Sequence, residues 1–307
     1  MPMRTALVIP SLGGSSLRDC LDAVNTLDPP PDRRVLVLSG GAVSPRPVED
    51  YAVQQFRERL GFAAAVNAGM AAAGDDIEAI GVLNDDASPD PGWLGALTEA
   101  LALDSELAAV QGTIQDATGR TIDGRGIAFD EAGLPVQIDR GVLTDEDQGE
   151  RKILAVSGTA SLFRASSLMD VMLPGGNVFD PRFDCYHEDL DLGLRLHRKG
   201  WRAAWIGGAC ARHLGSSSAP SLSWRHPWWL LANRWRALAG NLSPRALFLS
   251  MPRLLRGEVR AIRTLSRTNP RAPVVAGAVV LSLPGLIATS WRRRTPGPRL
   301  EAIPDEP

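Results

Sequence analysis

The stretch AIGVLNDDASPDPGWL (residues 79–94) determines how the first part of the chain is organised. It begins with a short, continuous apolar run, which is typical of a strand covered on both faces. Three polar residues, 84–86, end this run, and a helical pattern begins at Pro91, a residue type favoured at helix starts. We therefore predict a buried strand that presents polar side chains at its carboxyl end and leads into a helix.

The same alternation of strand and helix extends toward the N-terminus. The strand candidates are TALVIP (5–10), RRVLVLSG (33–40) and the weaker YAVQQF (51–56), and helical patterns cover 16–27, 62–73 and 91–103. Buried strands that alternate with helices predict an α/β fold with a mostly parallel sheet covered by helices. Ligands of such sheets collect beyond the carboxyl ends of the strands. Residues 11–14, 39–41 and 84–86 are therefore expected to line one crevice.

The second half of the chain is less regular. Residues 119–149 are rich in Gly and Asp and predict a hairpin or a mobile excursion. KILAVSGTASLFRASSL (152–168) predicts a strand followed by a helix. WRAAWIG (201–207) predicts a further strand, with His213 in the loop beyond it. The sequence contains no internal repeat that we can recognise.

The composition is that of a folded protein without a disulfide framework. A chain of 307 residues with 44% hydrophobic and 22% charged residues can bury a full core. Its three cysteines, at positions 20, 185 and 210, are far apart. This odd, scattered set argues against disulfides and against a zinc site, and favours a reducing cytoplasm. The apolar run at residues 6–10 is too short for a signal-peptide core.

The C-terminal part carries the positive charge. Residues 244–297 contain ten arginines and one acid, Glu258, and so carry +9; the whole chain carries −2 and the remainder therefore −11. Six arginines recur at steps of three or four and predict one face of a helix: Arg253, Arg256, Arg260, Arg263, Arg267 and Arg271. Such a basic amphipathic helix is typical of a membrane-surface segment, and an anionic partner is expected for it.

An apolar stretch, residues 273–291, follows this helix and is interrupted by Pro284. Its length is at the short limit for crossing about 30 Å of hydrocarbon. We predict peripheral attachment to an anionic membrane surface. A true span, or a solvated helix packed on the body beside a buried C-terminal helix, are the alternatives.

Two acidic clusters are candidates for chemistry. Asp85 and Asp86 follow a buried strand, where unpaired carboxylates are costly, and a divalent cation that also binds substrate phosphates would offset that cost. The alternative is a strand-end turn that caps the next helix. In CYHEDLDLGLRLHRKGW (185–201), Asp191 has Arg195 as an i,i+4 partner, whereas Asp189 has no obvious local partner and is available to accept a proton. A helix-capping acid cluster is the alternative there.

Taken in order, these segments resemble the inverting family 2 glycosyltransferases, most closely the bacterial rhamnosyl- and galactofuranosyl-transferase branch. The similarity covers about residues 4–240, and its most specific part is the acceptor-side motif at 179–218. The segments that carry it are VIPSLGG (8–14), LGFAAAVNAGM (60–70), VLNDDASPDPGWL (82–94), SGTASLFRASSL (157–168) and FDPRFDCYHEDLDLGLRLHRKGWRAAWIGGACARHLGSSS (179–218).

The resemblance implies a GT-A type fold and a role for individual residues. Asp86 would bind Mn²⁺ or Mg²⁺ on the donor diphosphate, His213 would be a further ligand, and Asp189 would be the general base. The residues implied in substrate and nucleotide binding are Pro10, Ser11, Leu12, Ser39, Asn67, Asn84, Asp85, Gly158, Glu188 and Arg195. The family usually has an aspartate where Ser39 stands and often an aromatic residue where Leu12 stands, so the nucleobase is not predicted.

The implied organisation is a nucleotide-sugar glycosyltransferase domain at 1–240, a helical membrane-association arm at 241–295 and a flexible tail at 296–307. The implied activity is inverting transfer of a rhamnose- or galactofuranose-like sugar from a nucleoside-diphosphate donor. A glycan or lipid-linked hydroxyl would accept the sugar, in cell-envelope or polysaccharide biosynthesis at the inner face of the plasma membrane.

Three other classes of protein are weaker matches. A nucleotidyltransferase would carry a basic, Gly-rich phosphate loop after its first strand, where SLGGSSLRD offers only Arg18. A non-catalytic nucleotide-sugar or glycan-binding module recruited to membranes is the main alternative, and Asp86, Asp189 and His213 argue against it. Nucleic acid is not expected as a partner, although the arginine stripe would suit it.

Overall fold

The computed structural model describes residues 3–145, 147–215, 223–293 and 297–304. The strands are β1 Thr5–Ser11, β2 Arg33–Leu38, β3 Ala52–Gln55, β4 Ala79–Leu83, β5 Ala87–Pro89, β6 Leu107–Asp116, β7 Ile122–Gly124, β8 Ile127–Phe129, β9 Pro135–Gln137, β10 Glu150–Ile153, β11 Ala160–Arg164 and β12 Arg202–His213. The helices are α1 Ser16–Asn25, α2 Phe62–Ala73, α3 Trp93–Leu103, α4 Ala165–Asp170, α5 Glu188–Arg198, α6 Arg225–Asn241, α7 Pro244–Thr268 and α8 Ala272–Arg292, with a 3₁₀ turn at Pro181–Phe183.

The sheet is mixed and mostly parallel, as the sequence predicts. Its strand order is β10-β12-β6-β11-β4-β1-β2-β3, with β5 beside β12 and β7 beside β6. Strands β1 to β4, β6 and β12 run in one direction, whereas β10 and β11 run against them. The apolar runs of β1, β2 and β4 lie in the middle of the sheet, where helices cover both faces.

Helices cover each face with the apolar stripe that their sequence spacing defines. On one face α1 and α3 pack with Leu17, Leu21 and Leu97 against the strands. On the other face α2, α4 and α5 pack with Val66 and Leu192. The third core cluster joins α5 to α6, α7 and α8.

One strand is longer than its sequence indicates. The prediction ended it at residue 207. The pair Gly207-Gly208 forms a bulge between Trp205 and Cys210, where the register with β6 shifts and Gly208 has φ +79°. The strand continues beyond the bulge, so His213 is the last residue of β12 rather than a loop residue.

The C-terminal end of the chain packs against α5. Of the segment expected to be a flexible tail, the structure describes residues 297–304, and residues 296 and 305–307 lie outside the described part. The Arg198 guanidinium donates to the carbonyl oxygens of Gly297 and Pro298, at 2.6 Å each, and Ile303 is buried. The cation on α5 therefore binds the carbonyl groups of residues 297 and 298, and the assignment of 296–307 as a flexible tail stays a prediction.

The helices α7 and α8 each bury one face and expose another. Leu254 of α7 and Val279 of α8 belong to the core, whereas Phe248 and Leu281 are 75% and 85% exposed. Among the described residues, α8 alone is long and apolar enough to cross a membrane by length and composition, with a mean hydropathy of 1.9.

Candidate active site

Parallel strands that end side by side bring together the first group of predicted site residues. β1 pairs with both β2 and β4, so Ser11, Ser39 and Asn84 lie at neighbouring strand ends. The Ser39 N–H donates to the carbonyl oxygen of Ser11 at 3.1 Å. The Ser11 hydroxyl donates to Oδ2 of Asp85 at 2.5 Å. These residues form one polar crevice at the carboxyl edge of the sheet.

The end of β4 carries polar groups that the protein alone does not satisfy. Burial raises the pKa of Asp85; the hydrogen bond from Ser11 opposes the rise and the nearby Asp86 adds to it. Oδ1 of Asn84 is buried and has no hydrogen-bond partner among the described residues. Such groups are costly unless a ligand or a cation pairs with them.

Asp86 contacts the histidine at the end of β12. Nε2 of His213 lies 3.3 Å from Oδ1 of Asp86, and Nδ1 lies 2.8 Å from Oδ2 of Asp123 on β7. Burial by itself would lower the pKa of His213, but the hydrogen bonds to Asp123 and Asp86 outweigh it and raise the pKa to about 9. Without a cation, His213 is therefore a charged partner of Asp86.

These side chains fit a divalent cation that is shared with a substrate. A carboxylate and an imidazole nitrogen face each other at 3.3 Å, and the unpartnered oxygen of Asn84 is two residues away along the chain. No group of three or more His, Cys, Asp or Glu residues suited to a metal ion occurs in the described ranges. Two protein ligands are the number that Mg²⁺-type sites commonly use when phosphates and water complete the coordination.

The second acidic cluster is connected to this crevice through the start of β11. The Asn84 N–H donates to the carbonyl oxygen of Thr159 at 2.8 Å. The preceding residue, Gly158, donates its N–H to Oδ2 of Asp189 at 3.2 Å. Asp86 and Asp189, 103 positions apart in the sequence, therefore lie along the same edge of the sheet.

Asp189 is suited to accept a proton. Its Oδ1 accepts a hydrogen bond from the Leu190 N–H at 2.7 Å, which fixes the carboxylate at the start of α5. Burial raises the pKa of Asp189, against the opposing hydrogen bonds from Gly158 and Leu190. Burial, and then the neighbouring Asp189, raise the pKa of Glu188 well above its usual range, and Oε2 of Glu188 has no partner in the described part of the chain. Pairs of acids with raised pKa values in a crevice are typical of functional sites.

Two residues predicted to bind substrate have structural roles. Arg195 is fully buried, and its guanidinium binds Oδ2 of Asp191 at 3.0 Å and the carbonyl oxygens of Val171 and Val178. Nδ2 of Asn67 donates to the side-chain oxygen of Asn177 and to the carbonyl oxygen of Phe179, and its Oδ1 accepts from the N–H groups of Val178 and Phe179. These contacts hold the segment before α5, and a role of either residue in substrate binding stays a prediction.

The remaining predicted residues line the crevice or support it. Leu12, just beyond the end of β1, is 41% exposed. Pro10 is buried within β1 and lies opposite Val37 in the register of β1 with β2. The Ser39 hydroxyl accepts from the Leu60 N–H at 3.3 Å, so Ser39 also anchors the chain entering α2. Gly158 lies under the ring of Phe62, where a Cβ would approach that ring to 3.1 Å.

Sequence reasoning missed Asp123 and the position of an aromatic cluster. Asp123 lies in the irregular Gly- and Asp-rich region, and only the register of β7 on β6 brings it to His213. Tyr186 contacts His226 and Trp229 at ring-centroid distances of 5.5 and 6.3 Å, and Arg59 lies 5.8 Å from the centroid of Trp229. The local richness in tryptophan indicates such a cluster, but not its position beside α5.

A mostly parallel sheet with acidic residues at its carboxyl edge defines a GT-A type fold, and solved structures share it. One is described as GalNAc-T7 with UDP, GalNAc and Mn²⁺ (TM-score 0.60, 14% identity, covering 79% of this chain and 48% of that one). Another is the mannosyltransferase PcManGT of Pyrobaculum calidifontis in complex with GDP-Man and Mn²⁺ (TM-score 0.55, 17% identity, 94% and 79%).

The chain belongs to glycosyl transferase family 2, whose model matches residues 7–172. It is also 30% identical over 134 residues to the N-acetylglucosaminyl-diphospho-decaprenol L-rhamnosyltransferases of two Mycobacterium tuberculosis strains, CDC 1551 and H37Rv. That match covers 38% of this chain and 42% of those relatives, less than half of their length.

Proposed function

We propose that this chain is an inverting, cation-dependent glycosyltransferase that moves a sugar from a nucleoside-diphosphate donor to a hydroxyl group of its acceptor. The observation that carries the proposal is the hydrogen-bonded connection between the two acidic clusters. Asn84, two residues before Asp86, donates to Thr159, and the adjacent Gly158 donates to Asp189, while His213 contacts Asp86. Membership of family 2 supports the same reaction class.

The reaction needs one proton acceptor and one leaving group. Asp189, held by the N–H groups of Gly158 and Leu190, takes the proton of the acceptor hydroxyl. The hydroxyl oxygen forms a bond to the anomeric carbon while the bond from that carbon to the diphosphate oxygen breaks, and the electron pair leaves with the nucleoside diphosphate. This single displacement inverts the anomeric configuration, and no second nucleophilic carboxylate is required.

Asp86 and His213 are the residues that would hold Mn²⁺ or Mg²⁺. A bound cation supplies positive charge that stabilises the diphosphate leaving group. The two solved structures that share the fold are both described with Mn²⁺. Asp85, held by Ser11, would then face the ribose and the cation.

A rhamnose- or galactofuranose-like donor sugar is part of the proposal. Its support is the similarity of part of the chain to mycobacterial L-rhamnosyltransferases, together with the sequence similarity to that branch of the family. Leu12 and Ser39, which stand where the family usually has an aromatic residue and an aspartate, offer neither an aromatic ring nor a carboxylate to the nucleobase.

The acceptor is proposed to be a glycan carried on a lipid at the inner face of the plasma membrane. Helices α7 and α8 expose Phe248, Leu249, Val274 and Leu281, each more than half exposed. Large exposed apolar faces mark interaction sites. The arginine-rich composition of α7 adds attraction to anionic lipid headgroups.

Vesicle sedimentation tests this attachment. Leu281→Asp should reduce binding to vesicles that contain anionic lipid, because it places a charge on the exposed face of α8. Leu103→Asp is the matched control, because Leu103 is equally exposed (81%) but lies on α3. Equal binding by wild type and both variants would contradict the membrane attachment.

A thermal-shift screen followed by product analysis tests the enzyme. We expect nucleoside diphosphates and nucleotide sugars to stabilise the protein only with Mn²⁺ or Mg²⁺, and Asp86→Asn to lose that dependence. A glycan acceptor should then release nucleoside diphosphate from the matching donor. Binding of nucleotide sugars without any release, over a full donor and acceptor panel, would support a non-catalytic binding module instead.

A further inference from the structure

The segment that leads into α5 has an unfavourable backbone conformation. Asp184, Tyr186 and His187 have φ values of 57°, 67° and 68°, in the left-handed region that residues other than glycine rarely occupy. Such conformations persist only where the surrounding structure enforces them, and they are concentrated at active sites. Asp189 is two residues beyond His187, so the strained segment (residues 184–187) leads directly into the residue that carries this carboxylate.

A side chain from the C-terminal helices binds the carbonyl groups of this segment. Nδ2 of Asn233 on α6 lies 2.6, 2.8 and 3.1 Å from the carbonyl oxygens of Phe183, Cys185 and Tyr186. The strained segment is therefore held by α6, and not by the sheet alone.

A second contact joins residues on either side of the strained segment through one guanidinium. Nη1 of Arg293 donates to Oδ2 of Asp180 at 2.7 Å and to Oδ2 of Asp191 at 3.0 Å, and its Nη2 donates to Oδ1 of Asp191 at 2.6 Å. Asp180 precedes the segment and Asp191 follows it. The Arg293 side chain is 6% exposed, so these contacts are well shielded from water.

The two aspartates are fixed on their other sides as well. Asp191 also binds Arg195 at 3.0 Å and the Asn241 amide at 2.9 Å. Asp180 accepts hydrogen bonds from the backbone and side chain of Arg182, at the start of the 3₁₀ turn. Arg293 is the member of this network that comes from the end of α8, more than 100 residues further along the chain.

We propose that Arg293 is a positioning residue for the transfer reaction: it binds Asp180 and Asp191 across the strained segment and so holds Asp189 at the crevice. The inference rests on the proposed function, in which Asp189 is the base. It makes the end of α8 a part of the active site, in addition to any role of that helix at a membrane.

The test compares Arg293→Gln with Arg293→Lys and with Arg292→Gln, a matched control on the exposed neighbouring residue. We expect Arg293→Gln to lower kcat by about 100-fold, the cost of a displacement of about 1 Å at a reacting group. Donor KM and the affinity for a nucleoside diphosphate with Mn²⁺ should stay unchanged, because Arg293 donates to Asp180 and Asp191 and not to the proposed cation ligands, Asp86 and His213. Arg293→Lys, which keeps the charge, should recover part of kcat, and Arg292→Gln should behave like wild type.

Hydrogen exchange supplies a readout that needs no activity. Amides of residues 184–190 should exchange faster in Arg293→Gln than in wild type, while those of α2 should not change. If wild type transfers no sugar, the proposed function fails, and this exchange comparison still decides whether Arg293 holds the segment.

Three results would overturn the inference. One is a kcat for Arg293→Gln equal to that of Arg292→Gln. Another is an equal loss of kcat and nucleotide affinity that Lys does not rescue, which would indicate a general loss of structure. The third is exchange in residues 184–190 that does not differ among the variants.

Discussion

Replacing Asp123 by alanine should weaken the binding of Mn²⁺ although Asp123 is not itself expected to touch the cation. Oδ2 of Asp123 lies 2.8 Å from Nδ1 of His213 and so fixes which ring nitrogen carries a proton. In this arrangement Nε2 of His213 is the nitrogen that faces Asp86. Without Asp123, the imidazole is free to rotate or to place its proton on Nε2, where it would block a cation.

The size of the effect follows from this geometry. Loss of a carboxylate that orients a metal-binding histidine typically costs 10- to 100-fold in metal affinity, or about 1.4 to 2.8 kcal/mol. The side chain of Asp123 is 25% exposed, so water can replace part of the lost hydrogen bond. We therefore expect the lower part of that range, about 10- to 30-fold.

Calorimetric titration with Mn²⁺ in the presence of a nucleoside diphosphate measures this change. Arg140→Gln is the matched control, because Arg140 contacts the other oxygen of Asp123 at 3.2 Å and is 69% exposed. Exposed ion pairs contribute about 0 to 1 kcal/mol, so this control should bind Mn²⁺ nearly as wild type does. Equal affinities for Asp123→Ala and wild type would refute the orienting role of Asp123.

Other properties of the site follow from burial and charge. Glu188→Gln should raise Tm at pH 8. Burial and the nearby Asp189 raise the pKa of Glu188, so ionisation of Glu188 at pH 8 opposes folding. Thermal melts at pH 4, where Glu188 is protonated in the folded protein, should show no gain for the variant. The pKa of Asp191 is lowered, since Arg293 and Arg195 outweigh the effect of burial. Its contribution to stability is complete above its ordinary pKa of about 3.9 and is lost on acidification, so unfolding free energies at pH 5 and pH 3 should differ less in Arg293→Gln than in wild type. Asn67→Ala should lower the free energy of unfolding in urea by about 1 to 3 kcal/mol and leave donor binding unchanged. A loss of donor binding at unchanged stability would instead support Asn67 as a substrate-binding residue.

The fold is predictable from sequence because its strands are buried on both faces and its helices are amphipathic. The apolar runs at 5–10, 33–40 and 79–85 correspond to β1, β2 and β4, and the pattern at 62–73 coincides with α2. Parallel pairing of these runs then places their carboxyl ends at one edge, which is why residues 84–86 could be expected near a ligand.

The contacts that depend on long-range register did not follow from local sequence patterns, although the family resemblance implied Asp86 and His213 as ligands of one cation. His213 reaches Asp86 only because the glycine pair 207–208 makes a bulge instead of ending the strand. Asp123 reaches His213 through a short strand in a region without clear periodicity.

Local spacing predicts which charged residues pair, but not how deeply the pair is buried or which distant residues join it. The i,i+4 spacing of Asp191 and Arg195 correctly indicates an ion pair. It does not show that the pair is fully buried, or that Arg293 from a distant helix completes it. The family resemblance placed Arg195 at the substrate, and local spacing gave no sign that the C-terminal helices contact the segment before α5.

Sugar transfer by Asp189→Asn, measured beside nucleotide binding, decides whether the two acidic clusters act on one substrate. We expect turnover to fall by about 10²- to 10⁴-fold, while the affinity for a nucleoside diphosphate with Mn²⁺ stays that of wild type, since Asp86 and His213 are untouched. Intact turnover with weakened donor binding would contradict the assignment of Asp189 as the base and the arrangement of the site across this crevice.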